Sequence, residues 1–322
     1  MTTSFDRRSV LAGAAALTLP SLASNAQTPP ASPGADTGRP RTRLVLLGTK
    51  GGPRVGGDRA NPANAIVVGD TPYVIDCGYG VTRQLLAARI PLSRLRYIFV
   101  SHQHSDHNLE YGNLYYNAWV GGSVAKVEAY GAPGLEALTR DFFRLNHIDI
   151  ETRMEDEGRK DPRDLLVAKD IAEDGPVMEN DQVKVTAFRT PHPPMTDLAF
   201  RFETADGVIV LSGDTAYNPA LAEFAKGADV LVHEALHVPS VEKLVASVPN
   251  ADTLRKHILA SHTSTEDVGR IAAAAGVKRL ILSHLVPGDL PVSDDEWLAG
   301  VRKTYSGPAS VGRDLMEVSL PL

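Results

Sequence analysis

Short apolar runs alternate with turn signals and helical patterns along most of the chain. Runs of about four to eight apolar residues, bounded by turn residues, are typical of buried strands. They predict strands at 44–47, 65–68, 73–75, 97–100 and 127–129, and again near Lys184, at 199–202, and near Val208, Val230 and Leu280. Helices are predicted around 83–88 and after Pro133. This order of elements predicts an α/β fold.

The clearest helix signal lies at 264–275. Thr263-Ser-Thr-Glu266 predicts a capping box at its start, and Gly276 marks its end. Apolar residues at helical spacing form one stripe along this segment. The predicted helix start places His262 just outside the first turn.

The composition agrees with one large domain behind an export signal. A chain of 322 residues, 43% of them hydrophobic, can bury a substantial core. Residues 1–26 carry Arg7 and Arg8 before an Ala-rich apolar stretch, which predicts a twin-arginine signal peptide, with an ordinary secretory signal as the alternative. A Pro-rich linker is expected at 27–43 and the folded domain at 44–322. Both kinds of signal predict a periplasmic or secreted protein, without membrane insertion.

The motif His102-x-His104-x-Asp106-His107 places four metal-competent side chains within six residues. It follows the apolar run 97–100, so it is expected on the loop that leaves a buried strand. Imidazole and carboxylate groups at this spacing suit Zn²⁺, and two pairs divided between two ions suit it best. The alternative is a polar loop of hydrogen-bonded histidines.

Three further candidate ligands, His192, Asp214 and His284, each follow another apolar run. Functional groups of layered α/β folds gather at such strand ends, so seven side chains are expected to converge. The single cysteine, Cys77, is predicted to be structural, and it excludes an internal disulfide and a thiolate cluster. With only nitrogen and oxygen ligands, Mn²⁺ or Fe²⁺ are alternatives to zinc.

These motifs resemble the metallo-β-lactamase superfamily, in the branch of ribonuclease Z and the zinc arylsulfatase-like hydrolases, over about 280 residues from Leu44. The resemblance implies a four-layer αββα sandwich. It also implies that two zinc ions are bound and that Asp214 bridges them. The implied ligands are His102, His104 and His192 for one ion, and Asp106, His107 and His284 for the other.

The resemblance further implies an acid-base pair, in which Glu234 orients His262. The two ions would hold a bridging hydroxide that attacks an ester, with Asp106 orienting the hydroxide and His262 protonating the leaving group. A purely structural bond between His262 and Glu234 is the alternative. The remaining histidines are predicted to be structural or solvent-exposed: His147, His233, His237 and His257.

Charge argues against a polyanionic substrate. The formal net charge is −6. From 149 to 181 there are twelve acidic and five basic residues, a net of 5 − 12 = −7, where nucleases of the family carry a basic RNA-clamping element. We therefore expect a small-molecule ester, with aryl sulfates before phosphate esters, and consider nucleic acid an improbable partner. Four aromatic residues at helical spacing are predicted to form either a substrate wall or core: Tyr111, Tyr115, Tyr116 and Trp119.

The leading hypothesis is thus an exported dinuclear zinc hydrolase of arylsulfatase type. A ribonuclease Z-like phosphodiesterase that processes tRNA 3′ ends is the first alternative. Lactonase or β-lactamase activity is a second, and a non-catalytic binding module with the same fold is a third. The sequence leaves the oligomeric state open and allows a homodimer.

Overall fold

The computed structural model describes residues 42–122, 125–246 and 248–322. The predicted signal peptide and all but the last two residues of the predicted linker lie outside this range. Thr42 and Arg43, assigned to the linker, instead begin the first strand, where Thr42 pairs with Leu320 on one side and Val68 on the other. The strand therefore starts before the predicted boundary at Leu44.

The described residues form fourteen strands and ten α-helices. The strands are β1 (Thr42–Gly48), β2 (Ala63–Val68), β3 (Thr71–Ile75), β4 (Tyr97–Val100), β5 (Val127–Gly131), β6 (Leu166–Asp170), β7 (Gly175–Glu179), β8 (Val183–His192), β9 (Met195–Thr204), β10 (Gly207–Leu211), β11 (Val230–Leu236), β12 (Arg279–Val286), β13 (Ala309–Val311) and β14 (Met316–Leu320). The helices are α1 (Val81–Ala87), α2 (Ser105–Asn108), α3 (Tyr111–Val120), α4 (Leu135–Leu145), α5 (His147–Glu157), α6 (Ala220–Phe224), α7 (Val238–Val245), α8 (Ala251–Ser261), α9 (Thr265–Ala275) and α10 (Asp294–Val301).

The strands form two seven-stranded sheets of matching design. Their orders are β14-β1-β2-β3-β4-β5-β6 and β13-β12-β11-β10-β9-β8-β7. Each sheet combines three antiparallel pairings with three parallel ones. Strands β8, β10, β11 and β12 run in one direction, so their carboxyl ends meet at one edge of the second sheet.

Three apolar layers hold the sheets and helices together. Between the sheets, Phe99 of β4 packs edge-to-face on Phe200 and Phe202 of β9, with ring centroids 5.4 and 5.2 Å apart. The outer face of the first sheet is covered by α1, α3, α4 and α5, and that of the second by α6, α9 and α10. The predicted αββα sandwich is confirmed.

The helix predicted at 264–275 begins at Thr265, one residue later than predicted. Ser264 is the N-cap residue, and its hydroxyl accepts a hydrogen bond from the Asp267 amide at 3.2 Å. Thr263 takes no part in the cap, because its hydroxyl donates to the Thr215 carbonyl at 2.6 Å. The prediction of a Thr263–Glu266 box was therefore wrong by one position, while His262 still lies directly before the helix.

The structure shows where the predicted aromatic patch and the acidic segment lie. The predicted aromatic patch belongs to the core on α3, where the Tyr111 hydroxyl bonds Thr139 and the Tyr115 hydroxyl donates to the Pro162 carbonyl. The acidic segment 149–181 forms most of α5, a 3₁₀ turn, β6 and β7. Since β6 and β7 are the edge strands of the two sheets, this segment is part of the sandwich.

Candidate metal centre

The seven predicted ligands converge where strands of both sheets end. The loop after β4 and the first turn of α2 supply His102, His104, Asp106 and His107. The second sheet supplies three side chains: His192 from the last position of β8, Asp214 from the loop after β10, and His284 from β12. Six of these side chains are buried, and His104 is half-buried.

Three histidine nitrogens form one side of the cluster. His104 Nδ1 lies 2.8 Å from His102 Nε2 and 3.1 Å from His192 Nε2. The three atoms are close enough for a single cation to contact all of them, and imidazole nitrogen is a preferred ligand of Zn²⁺.

Asp106, His107 and His284 form the other side. Asp106 Oδ2 lies 3.7 Å from His107 Nε2 and 3.5 Å from His284 Nε2. The shared carboxylate, Asp214, stands between the two sides. Its Oδ2 lies 3.1 Å from His284 Nε2, 3.4 Å from His107 Nε2 and 3.8 Å from His192 Nε2. This is the position that a bridging carboxylate requires.

A β-bulge aims His284 into the cluster. The pairing of β11 with β12 shifts register after Glu234, which leaves His284 as the extra residue of β12. The backbone of His284 has φ +41°, a conformation that residues other than glycine rarely adopt. Gly51 packs against the ring, since a Cβ at this position would lie 2.8 Å from His284 Nδ1. Bulge and glycine together fix the ring orientation.

Hydrogen bonds behind the ligands select their tautomers. His102 Nδ1 lies 2.6 Å from Asp197 Oδ2, and His107 Nδ1 lies 2.9 Å from Asp76 Oδ2. His192 Nδ1 donates to the carbonyl of Ser261 at 2.9 Å. In each case the bonded Nδ1 leaves Nε2 for a metal, the usual support of a ligating histidine. Asp76 and Asp197 were missed from the sequence, although Asp76 does follow an apolar strand.

The charge states fit metal binding. Burial is the main factor that lowers the pKa of His102 to about 3, and of His104 and His192 to about 4, so these rings are neutral, as ligation requires. Burial also opposes charge on His107, yet Asp214, Asp76 and Asp106 raise its pKa well above the usual value. The surrounding carboxylates therefore stabilise positive charge at this place, and a divalent ion would supply it.

Buried polar atoms without partners point to the same conclusion. Among the described residues, His107 Nε2, His284 Nε2 and Asp214 Oδ1 are buried and have no hydrogen-bond partner. An unpaired buried polar atom is costly, and the great majority of such atoms in proteins are satisfied. All three face the cluster of ligands, so a cation would satisfy them. The donor set of nitrogen and carboxylate oxygen fits a divalent metal site.

The predicted acid-base pair also forms. His262 Nδ1 lies 3.3 Å from Glu234 Oε1, and the His262 ring stacks on His284 with centroids 5.5 Å apart. The amides of Thr215 and Thr263 donate to the same oxygen of Glu234, which fixes the carboxylate. Burial disfavours the charged ring, but Glu234, with Asp214 and Asp106, raises the pKa of His262 to about 9. A protonated His262 can donate a proton beside the metal ligands.

A cavity of about 280 Å³ opens over the cluster. Its floor includes Asp106, Asp214 and His262, and one wall carries Lys50 and Arg54. Another part of the wall belongs to α7 and α8, which we call the cap. Leu244, Leu254, His257 and Ile258 of the cap line the cavity. His257, predicted to be structural or exposed, is half-buried and lines this cavity, with its ring centroid 6.1 Å from that of His192.

The other predicted structural groups are not among the described side chains that form the cluster. His233 is buried and bonds the Glu234 carbonyl, His237 bonds Ser240, and the exposed His147 lies 2.9 Å from the Arg144 carbonyl. Cys77 is fully buried, and burial raises the pKa of its thiol well above the usual value. A protonated, buried thiol is unreactive, which agrees with the structural role.

Comparison with known proteins identifies close sequence and fold relatives. The family model described as the metallo-β-lactamase superfamily matches residues 58–284. Ribonuclease Z of Mycobacterium bovis is 31% identical over 291 residues, covering 86% of this chain and 98% of its own length. Ribonuclease Z of Mycobacterium marinum is 30% identical with the same coverage.

Two solved structures share the fold. The metallo-β-lactamase fold protein YhfI from Bacillus subtilis has 22% identity and a TM-score of 0.64, covering 87% of this chain and 99% of its own. The short form of human tRNase Z has 20% identity and a TM-score of 0.63, covering 87% and 100%. At such identities they support the architecture alone.

Proposed function

We propose that the substrate of this chain is a phosphodiester. The chain belongs to the metallo-β-lactamase superfamily and is a metal-dependent hydrolase of ester bonds. The main support for the proposal is the position of Asp214 Oδ2 between the two sets of histidine nitrogens, with His262 beside them. Two Zn²⁺ ions fit this arrangement. The relatives named ribonuclease Z support phosphodiesters over sulfates, and they weigh against our expectation that nucleic acid is an improbable partner.

When bound, two divalent ions supply a water nucleophile at neutral pH and neutralise charge on the ester. The chain's own residues do the remaining work. Lys50 and Arg54 line the cavity; Arg54 is paired with Asp289 at 3.4 Å, and Lys50 supplies the positive charge that attracts an anionic diester. His262, held by Glu234, donates a proton to the leaving oxygen. With these groups the non-catalytic binding module is no longer a competing explanation.

The test is a substrate panel on protein with two zinc ions per chain. We expect hydrolysis of bis(p-nitrophenyl) phosphate and of a tRNA precursor with a 3′ extension, and loss of both activities in Asp214→Ala purified identically. That variant also controls for contaminating nuclease. Cleavage of aryl sulfates, lactones or β-lactams, with both phosphodiesters left intact, would overturn the proposal.

Sulfate ester hydrolysis is the second candidate. A cavity of about 280 Å³ lies just below the range for small-molecule sites, roughly 300 to 1,000 Å³, so it suits a small substrate. The acidic surface of α5 also disfavours a large polyanion, since only Arg153 balances five acidic residues on that helix. An aryl sulfate in the same panel therefore discriminates directly between the two candidates.

Replacing Glu234 by Gln is expected to move the alkaline limb of the kcat/KM profile to lower pH by about one unit. A general acid works only while protonated, so activity falls as pH rises through the pKa of His262. The Glu234 carboxylate raises that pKa, and Gln removes its charge. Bound cations lower the pKa, so the limb should lie below pH 9. Glu242→Gln, an exposed acid on α7, is the control; an unmoved limb in Glu234→Gln would contradict the assignment.

We also propose that the chain is exported by the twin-arginine route. The support is the pair Arg7-Arg8 ahead of an Ala-rich apolar stretch. Replacing both residues by Lys keeps their charge, yet we expect it to block appearance of the protein in the periplasm, measured by fractionation. Wild-type periplasmic levels of this double variant would favour the general secretory route.

A further inference from the structure

We infer that the cap selects phosphodiesters in which an apolar, ring-sized group is bonded to phosphorus through oxygen, and that Leu244, Leu254 and Ile258 bind this group. The inference rests on the phosphodiester assignment above and goes beyond it, because it names the class of ester. It follows from where the cap is anchored, which side chains it turns inward, and how the charges are distributed.

The cap is fixed to the metal centre by its last residue. The Ser261 carbonyl at the end of α8 accepts the hydrogen bond from His192 Nδ1, and the Ser261 hydroxyl donates to the Pro193 carbonyl at 3.1 Å. The next residue is His262. A side chain about one or two turns earlier on α8 therefore stands at a set distance from the reacting atoms.

The cap has its own apolar core, which makes its inner wall a built surface. Val241 and Val245 of α7 and Ile258 of α8 are buried against Leu236 and Val286, the last residues of β11 and β12. Leu244 and Leu254 pack on this cluster but remain only partly buried, because they face the cavity. Substrate can cover the apolar surface that they leave exposed.

The charged and the apolar side chains that line the cavity come from different segments. Lys50 and Arg54 lie on the wall formed by the loop after β1, where Arg54 pairs with Asp289 at 3.4 Å, whereas the leucines and Ile258 lie on the cap. Lys50 is 2% exposed and donates from Nζ to the Gly56 carbonyl at 3.1 Å, which holds its charge at that wall. An ester with an anionic phosphate and one apolar substituent matches both walls at once.

The experiment compares two diesters with the same leaving group. Phenyl p-nitrophenyl phosphate and methyl p-nitrophenyl phosphate release the same phenolate, so a difference between them reports the other substituent. On zinc-loaded protein we expect a KM about 10-fold lower for the phenyl ester, since a small apolar group in a pocket is worth roughly this factor or more. Leu254→Ser should remove most of the difference with little change in kcat, and Leu254→Met should restore it.

Leu259→Ser is the matched control. Leu259 lies on the same helix, is 47% exposed and is not among the cavity-lining residues, so its replacement should leave both KM values unchanged. Leu244→Ser, on the other cap helix, provides a second test if Leu254→Ser does not fold. Calorimetric titration with phenylphosphonate and methylphosphonate supplies a readout independent of turnover, and the same pattern of preference and loss is expected.

The two proposals fail in different ways. Turnover of both diesters with equal KM, and equal affinity for the two phosphonates, would overturn the apolar subsite and leave the phosphodiesterase intact. Absence of turnover on both esters, with tighter binding of phenylphosphonate that is lost in Leu254→Ser, would overturn the phosphodiesterase and retain the subsite.

Discussion

Replacing Asp214 by Ala is expected to lower the metal content below two ions per chain and to abolish turnover. Its Oδ2 lies within 3.1 to 3.8 Å of nitrogens on both sides of the cluster, and no neighbouring described carboxylate occupies an equivalent position. Loss of several kcal/mol of charge stabilisation corresponds to roughly 10³-fold or more in kcat, since about 1.4 kcal/mol is tenfold. Metal analysis beside each rate measures both effects.

The control is Asp229→Ala, because Asp229 is also nearly buried but bonds Lys278 and the Val208 amide at the opposite end of β11. It should keep both ions and wild-type turnover apart from some loss of stability. An active Asp214→Ala enzyme with two bound ions, or a wild-type enzyme active with one ion, would show that Asp214 does not bridge.

His262→Ala should slow esters with poor leaving groups far more than esters with good ones, while both ions stay bound. General acid help is typically worth roughly 10² to 10⁴ in rate, and a leaving group that is already stable as an anion needs little of it. His262 bonds Glu234 at 3.3 Å. It also lies within reach of His192, Asp214 and His284, but each set of three ligands around Asp214 is complete without it. The measurement is a series of phosphodiesters with leaving groups of increasing pKa.

His284→Ala is the contrasting variant. It removes a nitrogen from the cluster, so it should reduce metal content and slow every ester by a similar factor. If His262→Ala behaves in the same way, losing metal or slowing all esters equally, then His262 is a ligand or a structural support. The proton donor would then have to be another group in the cavity.

The ligands could be predicted from the sequence because each of them comes at the end of a local sequence signal. An apolar run predicts a strand, and parallel strands bring their carboxyl ends to one edge of a sheet. His102, His192 and Asp214 could therefore be placed at such an edge without knowing which strands pair. Asp197 gives no such signal, because it lies inside β9. Its role depends on His102 of the other sheet, a contact that exists only after the sandwich has formed.

The cap was missed for a related reason. Its helices lie between two recognised motifs, Glu234 and His262, and their apolar residues pack on one another and on the ends of β11 and β12. The sequence shows an apolar pattern there, but it does not show that these residues lie above the metal ligands. The position of His257 at the cavity was missed for the same reason, since the sequence does not show what a histidine on a helix faces.

The acidic segment shows the limit of reasoning from charge. Its composition predicted a solvated surface that RNA would avoid, but not that two strands from it would complete the edges of the sandwich. In β6 burial falls from Leu166 at its start to the exposed Lys169 and Asp170 at its end, because an edge strand has fewer neighbours to bury its residues. Such a strand lacks the continuous apolar run that identifies β4 and β11 in the sequence.

The pairing of β1 with β14 has a consequence for synthesis of the protein. Residues 49–315 separate β1 from its partner at Met316–Leu320, so one edge of β1 has no partner while the residues between them are made. At about 5 to 20 residues per second this interval lasts roughly 15 to 50 s. An open apolar strand edge favours association between chains. Nascent chains are thus exposed to aggregation until β14 is made, which makes slow, cool expression with ample chaperone the appropriate condition for producing the enzyme.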